Sequence, residues 1–297
     1  MACNKRVLIT GSRGRLGQEL MEKFPSKWNV CGIGREEADI TDYKAVSIVI
    51  SDFSPDIVIH TAGYTDVDKA ESEPEEAMRV NGLGTENIAR ACQESDSKLI
   101  YISSDFVFDG TKSVPYIEDD TPNPQTAYGK NKLAGEKAVE SLVSNCLIVR
   151  IGWVYGRHGK SFVSTMIEKG QQQIESRQTS RIVPPIRVVD DQFGSPTSEW
   201  AIANRLFELA ERDVWGIVHI ASRGEVNRFD FTKEIFGLLG MDIELQACSS
   251  EDYPLPATRP ARSSLESRRL DELGIGPMPT WKQDIEMFFK SCARYAK

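Results

Sequence analysis

Tyr128 and Lys132 stand four residues apart in Tyr128-Gly129-Lys130-Asn131-Lys132, a spacing that on a helix brings a phenol and an ammonium to one face. A phenol with a free pKa of about 10 is a poor acid-base group at neutral pH, and a neighbouring ammonium stabilises the phenolate and lowers that value. Such a pair can hand a proton to a carbonyl oxygen while hydride arrives at its carbon. A hydroxyl is expected beside the same oxygen, and Ser103-Ser104-Asp105 closes an apolar run that begins at Lys98. Tyr-x-x-x-Lys alone occurs by accident on surface helices, so its meaning depends on what surrounds it.

The surroundings are those of a dinucleotide site. Gly11-Ser12-Arg13-Gly14-Arg15-Leu16-Gly17 follows the β-branched run Arg6 to Thr10, where a strand-to-helix turn aims backbone amides and a helix N-terminus at a pyrophosphate. Gly11, Gly14 and Gly17, with Arg13, Arg15 and Leu16, are therefore candidate cofactor contacts. The second strand ends Gly32-Ile33-Gly34-Arg35. An acid there suits ribose hydroxyls, whereas Arg35 suits a 2′-phosphate, so NADP(H) is favoured over NAD(H). The competing reading leaves Arg35 as a solvated loop residue beside Glu36 and Glu37. Asp39 and Ile40 are candidates for the adenine, and Ala62-Gly63-Tyr64-Thr65 lies past the third strand, where ligands bind in open parallel sheets.

These residues need a scaffold that presents strand ends and helix starts together. Arg6 to Thr10, Val30 to Ile33, Asp56 to His60, Lys98 to Ser103 and Cys146 to Ile151 read as buried strands. Leu16 to Phe24, Tyr43 to Phe53, Glu75 to Ser95 and Ala127 to Val143 carry apolar residues at helical spacing. The alternation predicts an α/β fold, a doubly wound parallel sheet of the Rossmann type with a smaller C-terminal substrate-binding lobe. After Tyr155 the pattern loosens, and the polar stretch Gln171 to Arg181 reads as a loop or helix end leading to Ile182. A helix from Ser198 to Glu211 and a strand from Gly216 to Ile220 return to the sheet. Short helices follow at Arg228 to Leu239, Leu265 to Leu273 and Trp281 to Phe289, between prolines. Residues 1–157 with 188–220 are expected to form the NAD(P)-binding domain, and 158–187 with 221–297 the substrate lobe.

Composition narrows the function classes. Thirty-six basic against forty-four acidic residues leave a net charge of −8, which argues against a nucleic-acid or anionic-membrane partner. No apolar run is long enough to span a bilayer and Met1 to Arg6 is no secretion signal, so a cytoplasmic protein is expected. Cys3, Cys31, Cys92, Cys146, Cys248 and Cys292 are scattered without a Cys-x-x-Cys pair, which suits reduced thiols. His60, His158 and His219 are isolated and read as packing or surface residues, so no metal triad is expected.

Taken together, the segments resemble the extended short-chain dehydrogenase/reductases and, within them, the dTDP-4-dehydrorhamnose reductase family. The resemblance rests on Thr65-Asp66-Val67-Asp68-Lys69-Ala70-Glu71, Ser104 through Gly110, Tyr128 through Glu136, Gly152-Trp153-Val154-Tyr155-Gly156 and Asp191 through Thr197. It implies that Tyr128 donates a proton to the C4 keto oxygen of a nucleotide-linked deoxysugar. It further implies that Lys132 tunes Tyr128 and holds nicotinamide ribose, that Ser104 stands where the family has Thr or Ser, and that Ser104, Asp105 and Trp153 touch the sugar. Gly14 to Leu16, Arg35, Asp39, Ile40, Gly63, Tyr64 and Thr65 match the family's cofactor contacts.

Three departures are visible. Phe106 replaces a tyrosine, Ser161 replaces an asparagine, and Arg259-Pro260-Ala261-Arg262-Ser263-Ser264 carries Arg262 in an asparagine position. Arg259 and Arg262 there suit an anionic nucleotide diphosphate. Some relatives use magnesium, for which no ligand set is readable; the expected assembly is a monomer or homodimer. Two other functions compete: a nucleotide-sugar epimerase or dehydratase on the same scaffold, and a non-catalytic cofactor-binding subunit resembling the regulatory partner of methionine adenosyltransferase. Dehydratases of this class follow the Ser or Thr with an Asp-Glu pair, and here Asp105 precedes Phe106.

Overall fold

The computed structural model describes residues 5–179 and 183–292; Cys3, Arg181 and Ile182 lie outside them. Five strands, β1 (Arg6–Thr10), β2 (Asn29–Ile33), β3 (Ile57–His60), β4 (Lys98–Ser104) and β5 (Cys146–Ile151), are joined by a sixth, Gly216–His219. Their spatial order is Gly216–His219, β5, β4, β3, β1, β2, and every pairing is parallel. Strand order reverses between β1 and β3, so the crevice beyond their carboxyl ends is where an open parallel sheet binds ligands.

Alternation along the strands feeds two cores. Val7, Ile9, Ile57, Ile59, Ile100, Leu147 and Val149 pack on one face with Leu20, Ile202 and Leu206. Leu8, Val58, Leu99, Tyr101 and Ile148 pack on the other with Val46, Ile50, Ile88 and Val139. Both faces are covered, which is why these strands are apolar at successive positions rather than at every second one. A third core of Tyr155, Val163, Ile167, Val188, Phe231, Ile235, Phe236 and Phe288 belongs to the C-terminal half. Asp284, on the helix Trp281–Ser291, ties that half to the sheet side. Its carboxylate accepts from Ser198 N at 2.7 Å, Ser198 Oγ at 2.6 Å and Ser222 Oγ at 2.9 Å, while Ser198 caps the helix Glu199–Ala210.

Three local expectations differ from what is observed. The polar stretch from Gln171 continues a helix, Phe162–Gln178, which Ser161 starts with a capping box. Gln173 is buried, donating to Pro184 O and Glu244 O and accepting from Glu244 N. Its polarity therefore ties helix to strand rather than marking a loop. The expected helix at Leu265 to Leu273 shrinks to Arg269–Glu272, because Leu265 bridges to Tyr116 and Ser267 donates to Glu118. The expected helix Glu75 to Ser95 is interrupted by a wide turn at Arg79–Gly84, and a short helix, Val67–Ser72, precedes it.

The helix Ala127–Leu142, which carries Tyr128 and Lys132, is seated by an ion pair. Glu136 is one turn beyond Lys132 on the same face, and both it and Arg150 of β5 are buried. Arg150 donates from Nε to Glu136 Oε1 at 2.9 Å and from Nη2 to Oε2 at 2.7 Å, and Ser103 Oγ donates to Oε1 as well. At the helix start Thr126 accepts from Gly129 N, and Glu71 accepts from Ala127 N at 2.8 Å.

Truncating Glu136 leaves the Arg150 guanidinium buried without its counter-charge. Glu136→Ala is expected to cost about 3–5 kcal/mol in urea denaturation, and adding Arg150→Met should recover most of it. A loss below about 1 kcal/mol in the single variant would show that the pair does not seat the helix.

Candidate active site

A single cavity of about 1310 Å³ runs across the carboxyl end of the sheet. That exceeds the 300–1,000 Å³ or so usual for one small ligand and leaves room for two side by side. Gly11, Arg13, Gly14, Arg15, Leu16, Gly17, Arg35, Asp39, Ile40, Gly63, Tyr64 and Thr65 line one end. Ser104, Asp105, Tyr128, Lys132, Trp153 and Arg259 line the remainder, and Arg262 is not part of the lining.

The cofactor-side residues are held by one another. Gly11 has φ +67°, and a Cβ there would stand 2.7 Å from Ala62 backbone, so the turn after β1 closes only with glycine. Gly14 caps the helix Arg15–Lys23 without a side-chain bond and no acid stands in its first turn. That leaves the first amides of the helix to an anion. Arg15 reaches across to Glu199 at 2.8 Å and donates to Lys160 O and Val154 O, fixing the glycine turn to the chain beyond β5. Arg13 pairs with Glu36 and Glu37, whereas Arg35 is exposed and has no carboxylate partner among the described residues. Asp39 accepts from Thr41 N and Oγ1, which holds its carboxyl below the usual range. Ile40 packs against Gly84. Tyr64 is pinned through its backbone, its N–H donating to Asn81 Oδ1 at 2.7 Å and its carbonyl accepting from Asn81 Nδ2 at 2.9 Å.

Asn81 escaped the sequence reading because it sits within the wide turn, a form often found at functional sites. The expected histidine roles hold in part: His60 is buried between Thr10 and Thr85, and burial pushes its pKa down to about 3, leaving a neutral imidazole.

The catalytic candidates meet at the end of β4. The Ser104 hydroxyl lies near enough to Tyr128 to favour its charged form and donates to Asp105 Oδ1 at 2.9 Å. Lys132 Nζ donates to Ile102 O at 2.7 Å and lies 4.3 Å from the Tyr101 ring centre. The four-residue spacing predicts that Lys132 lowers the phenol's pKa; in the cavity burial outweighs such a pull. Burial, helped by the Asp105 charge, pushes Tyr128 up to about 12 against the pull of Ser104. Burial likewise draws Lys132 down to about 7, with Glu136 opposing. Lys132 is not among the groups that act on the phenol, which keeps its proton across the physiological range chiefly because it is buried.

Trp153 and Arg228 form the far wall. Trp153 has φ +46° and donates from Nε1 to Ser263 Oγ at 3.2 Å. Its indole occupies the space of a missing side chain, since a Cβ on Gly194 would fall 2.0 Å from it. The Arg228 guanidinium lies 3.4 Å from the Trp153 ring centre and 4.7 Å from that of Phe162. Arg228 is the first residue of the helix Arg228–Leu239; nothing in its sequence surroundings marks it, and only the fold places it in the cavity. Asp105 is buried and pushed up to about 6, while Ser263, Ser104 and Arg228 favour its charged form.

The two sequence-predicted arginines separate. Arg259 lines the cavity and is held bidentately by Asp68. Arg262 instead pairs with Glu225 and lies over Phe193, so the structure does not bring it to the substrate wall. Among the described residues no group of three or more His, Cys, Asp or Glu is arranged to hold a metal ion, and magnesium has no support. No helix among them is long and apolar enough to cross a membrane.

Residues 5–294 match the family described as RmlD substrate binding domain. A dTDP-4-dehydrorhamnose reductase of Mycolicibacterium smegmatis is 37% identical over 95% of the chain and 84% of its own length. One of Sinorhizobium fredii is 35% identical over 94% of each. The crystal structure of dTDP-4-dehydrorhamnose reductase from Bacillus anthracis in complex with NADP superposes with a TM-score of 0.93 at 35% identity, covering 98% of this chain and all of that one.

The Lys132 pKa gives a stability test. Between about 7 and the free value of 10.5, the unfolded chain holds a proton that the folded chain lacks, so this residue's contribution to stability rises with pH across that window. Below 7 the cost of burying the ammonium is complete. Lys132→Met is therefore expected to be more stable than wild type at pH 6.5 by at least about 1 kcal/mol. Urea titrations should show the difference shrinking as pH approaches 10, and a pH-independent difference would refute the assignment.

Proposed function

The chain belongs to the RmlD substrate binding domain family, and from that premise we propose that it reduces the C4 keto group of dTDP-4-dehydrorhamnose to give dTDP-rhamnose. The observation that carries the proposal is the meeting of the Tyr128 phenol and the Ser104 hydroxyl in a cavity whose other end is the glycine turn. NADPH supplies the hydride when bound.

Tyr128 supplies the proton. A phenol held near 12 is fully protonated at neutral pH, which is the form a reductase requires, and it becomes competent when negative charge develops on the keto oxygen beside it. Ser104 turns its one hydroxyl proton from Asp105 Oδ1 to that oxygen when the substrate binds, giving it a second hydrogen bond. Asp105, beside Ser104 on the cavity wall, accepts from a neighbouring sugar hydroxyl. Phe106 lies edge-on to Tyr128, with ring centres 5.6 Å apart; it offers no acid to a dehydration.

We assign the cofactor to residues 1–157 with 188–220 and the sugar nucleotide to 158–187 with 221–297. The glycine turn with Arg15 and Leu16 holds the cofactor pyrophosphate, and Lys132 holds nicotinamide ribose. Arg35, which makes no direct ion pair among the described residues while Arg13 is occupied by Glu36 and Glu37, faces the 2′-phosphate of NADPH. Arg259 faces the substrate when Asp68 releases it.

Three outcomes are expected. Purified protein given dTDP-4-dehydrorhamnose consumes NADPH; binding of cofactor without consumption would return the chain to the non-catalytic reading. Tyr128→Phe lowers kcat by at least about 100-fold with the Kd for NADPH unchanged, and a variant that loses cofactor but keeps its turnover once loaded would contradict the donor role. Arg35→Ala weakens NADPH about tenfold or more and leaves NADH nearly unaffected; equal losses would assign Arg35 to the solvated surface.

A further inference from the structure

Six arginines line the cavity: Arg13, Arg15, Arg35, Arg187, Arg228 and Arg259. Four have carboxylate partners, in Glu36 and Glu37, Glu199, Asp252 and Asp68 respectively. Arg35 and Arg228 make no ion pair among the described residues; Asp39 and Glu76 act on the first and Asp105 on the second only at longer range. Arg35 stands at the cofactor end; Arg228 stands at the other, on the helix that packs against the strand Ile186–Val189.

Unlike Arg35, Arg228 is fixed. It is clamped between Trp153 and Phe162, and Trp153 is itself anchored by Ser263 and by the absence of a side chain at Gly194. None of its guanidinium N–H groups donates to a described residue. Burial opposes its charge, Asp105 supports it, and Arg259 is near enough to oppose it further. Keeping a second cation within range of a half-buried guanidinium is costly unless an anion arrives between them. A stacked guanidinium has already lost its rotamer freedom, so it offers its planar fork at little further entropic cost.

The position narrows the anion. The reacting groups Ser104 and Tyr128 make one part of the cavity lining, and Val188 and Val189 with the paired Cys248, Gln192, Tyr253 and Leu255 make another, a half-apolar surface of the kind a nucleoside fills. The group joining a sugar at the first end to a nucleoside at the second is a diphosphate. We propose that Arg228, held on Trp153, is the fixed receptor for the diphosphate of the nucleotide-sugar substrate. The inference rests on the reading of this cavity as a sugar-nucleotide site, and it assigns the charge recognition to a residue that the resemblance does not supply.

The test is calorimetric binding of dTDP, UDP, GDP and ADP to the NADPH-loaded protein, with thymidine as the uncharged control. Arg228→Leu is expected to lose about 10- to 100-fold in affinity for the preferred nucleoside diphosphate, with the affinities for thymidine and NADPH unchanged. Arg228→Lys keeps the charge without the stacked fork and should recover part of that loss. Thermal unfolding of both variants identifies any that fail to fold, and the lysine variant then carries the comparison. Preference for UDP, GDP or ADP over dTDP would overturn the dTDP reading and leave the role of Arg228 standing on the preferred nucleotide. Unchanged diphosphate affinity in Arg228→Leu, or no diphosphate binding by wild type, would overturn the inference itself.

Discussion

Everything catalytic in this chain hangs on one helix, and that helix is seated by the bidentate pair between Glu136 and Arg150. Tyr128, Lys132 and Glu136 follow at four-residue intervals, so fixing Glu136 against β5 fixes the rotation of the whole face. Ser103 bonds the same carboxylate, which couples the helix to the strand whose next residue is Ser104. The hydroxyl and the phenol are thus brought together by a contact two turns away. A buried charge pair is an expensive way to hold a helix, since apolar side chains of similar volume often hold one as well. What it adds here is direction, because two parallel hydrogen bonds admit one orientation where a greasy contact admits several.

The electrostatics of the cavity follow from dryness more than from charge pairing. Tyr128, Lys132 and Asp105 are each displaced toward the neutral form, chiefly by burial. A phenol that keeps its proton, an amine near neutrality and a carboxyl near 6 make a site prepared to donate rather than to abstract. Arg35 and Arg228, the lining arginines that make no ion pair among the described residues, stand at the two ends, where the ligands carry their own anions. Between them the glycine turn contributes backbone amides, which cost nothing to desolvate further once they point at an anion.

Much of this was legible in the residues. The alternation of apolar runs with helical spacing gives the parallel sheet, and Gly11, Tyr128, Lys132 and Ser104 could be placed because their chemistry needs particular strand ends and helix faces. What failed did so for identifiable reasons. Gln173 looks like a loop residue because its buried bonds to Pro184 and Glu244 are tertiary. Arg262 looks like an anion ligand because Glu225, thirty-seven residues away, is invisible as its partner. Arg228 goes unmarked for the converse reason, as nothing near it in the chain announces Trp153. Spacing alone predicts that Lys132 lowers Tyr128, and spacing says nothing about how much water is removed from a phenol.

A proton donor must hold its proton until substrate arrives. The most direct measurement is an ultraviolet difference titration of the cofactor-free wild type against Tyr128→Phe, reading phenolate absorbance. With Tyr128 held near 12, no phenolate difference should appear up to pH 10. Phenolate emerging around pH 7 to 8 would mean that the resting tyrosine is a base, and the reductive proton would have to come from elsewhere.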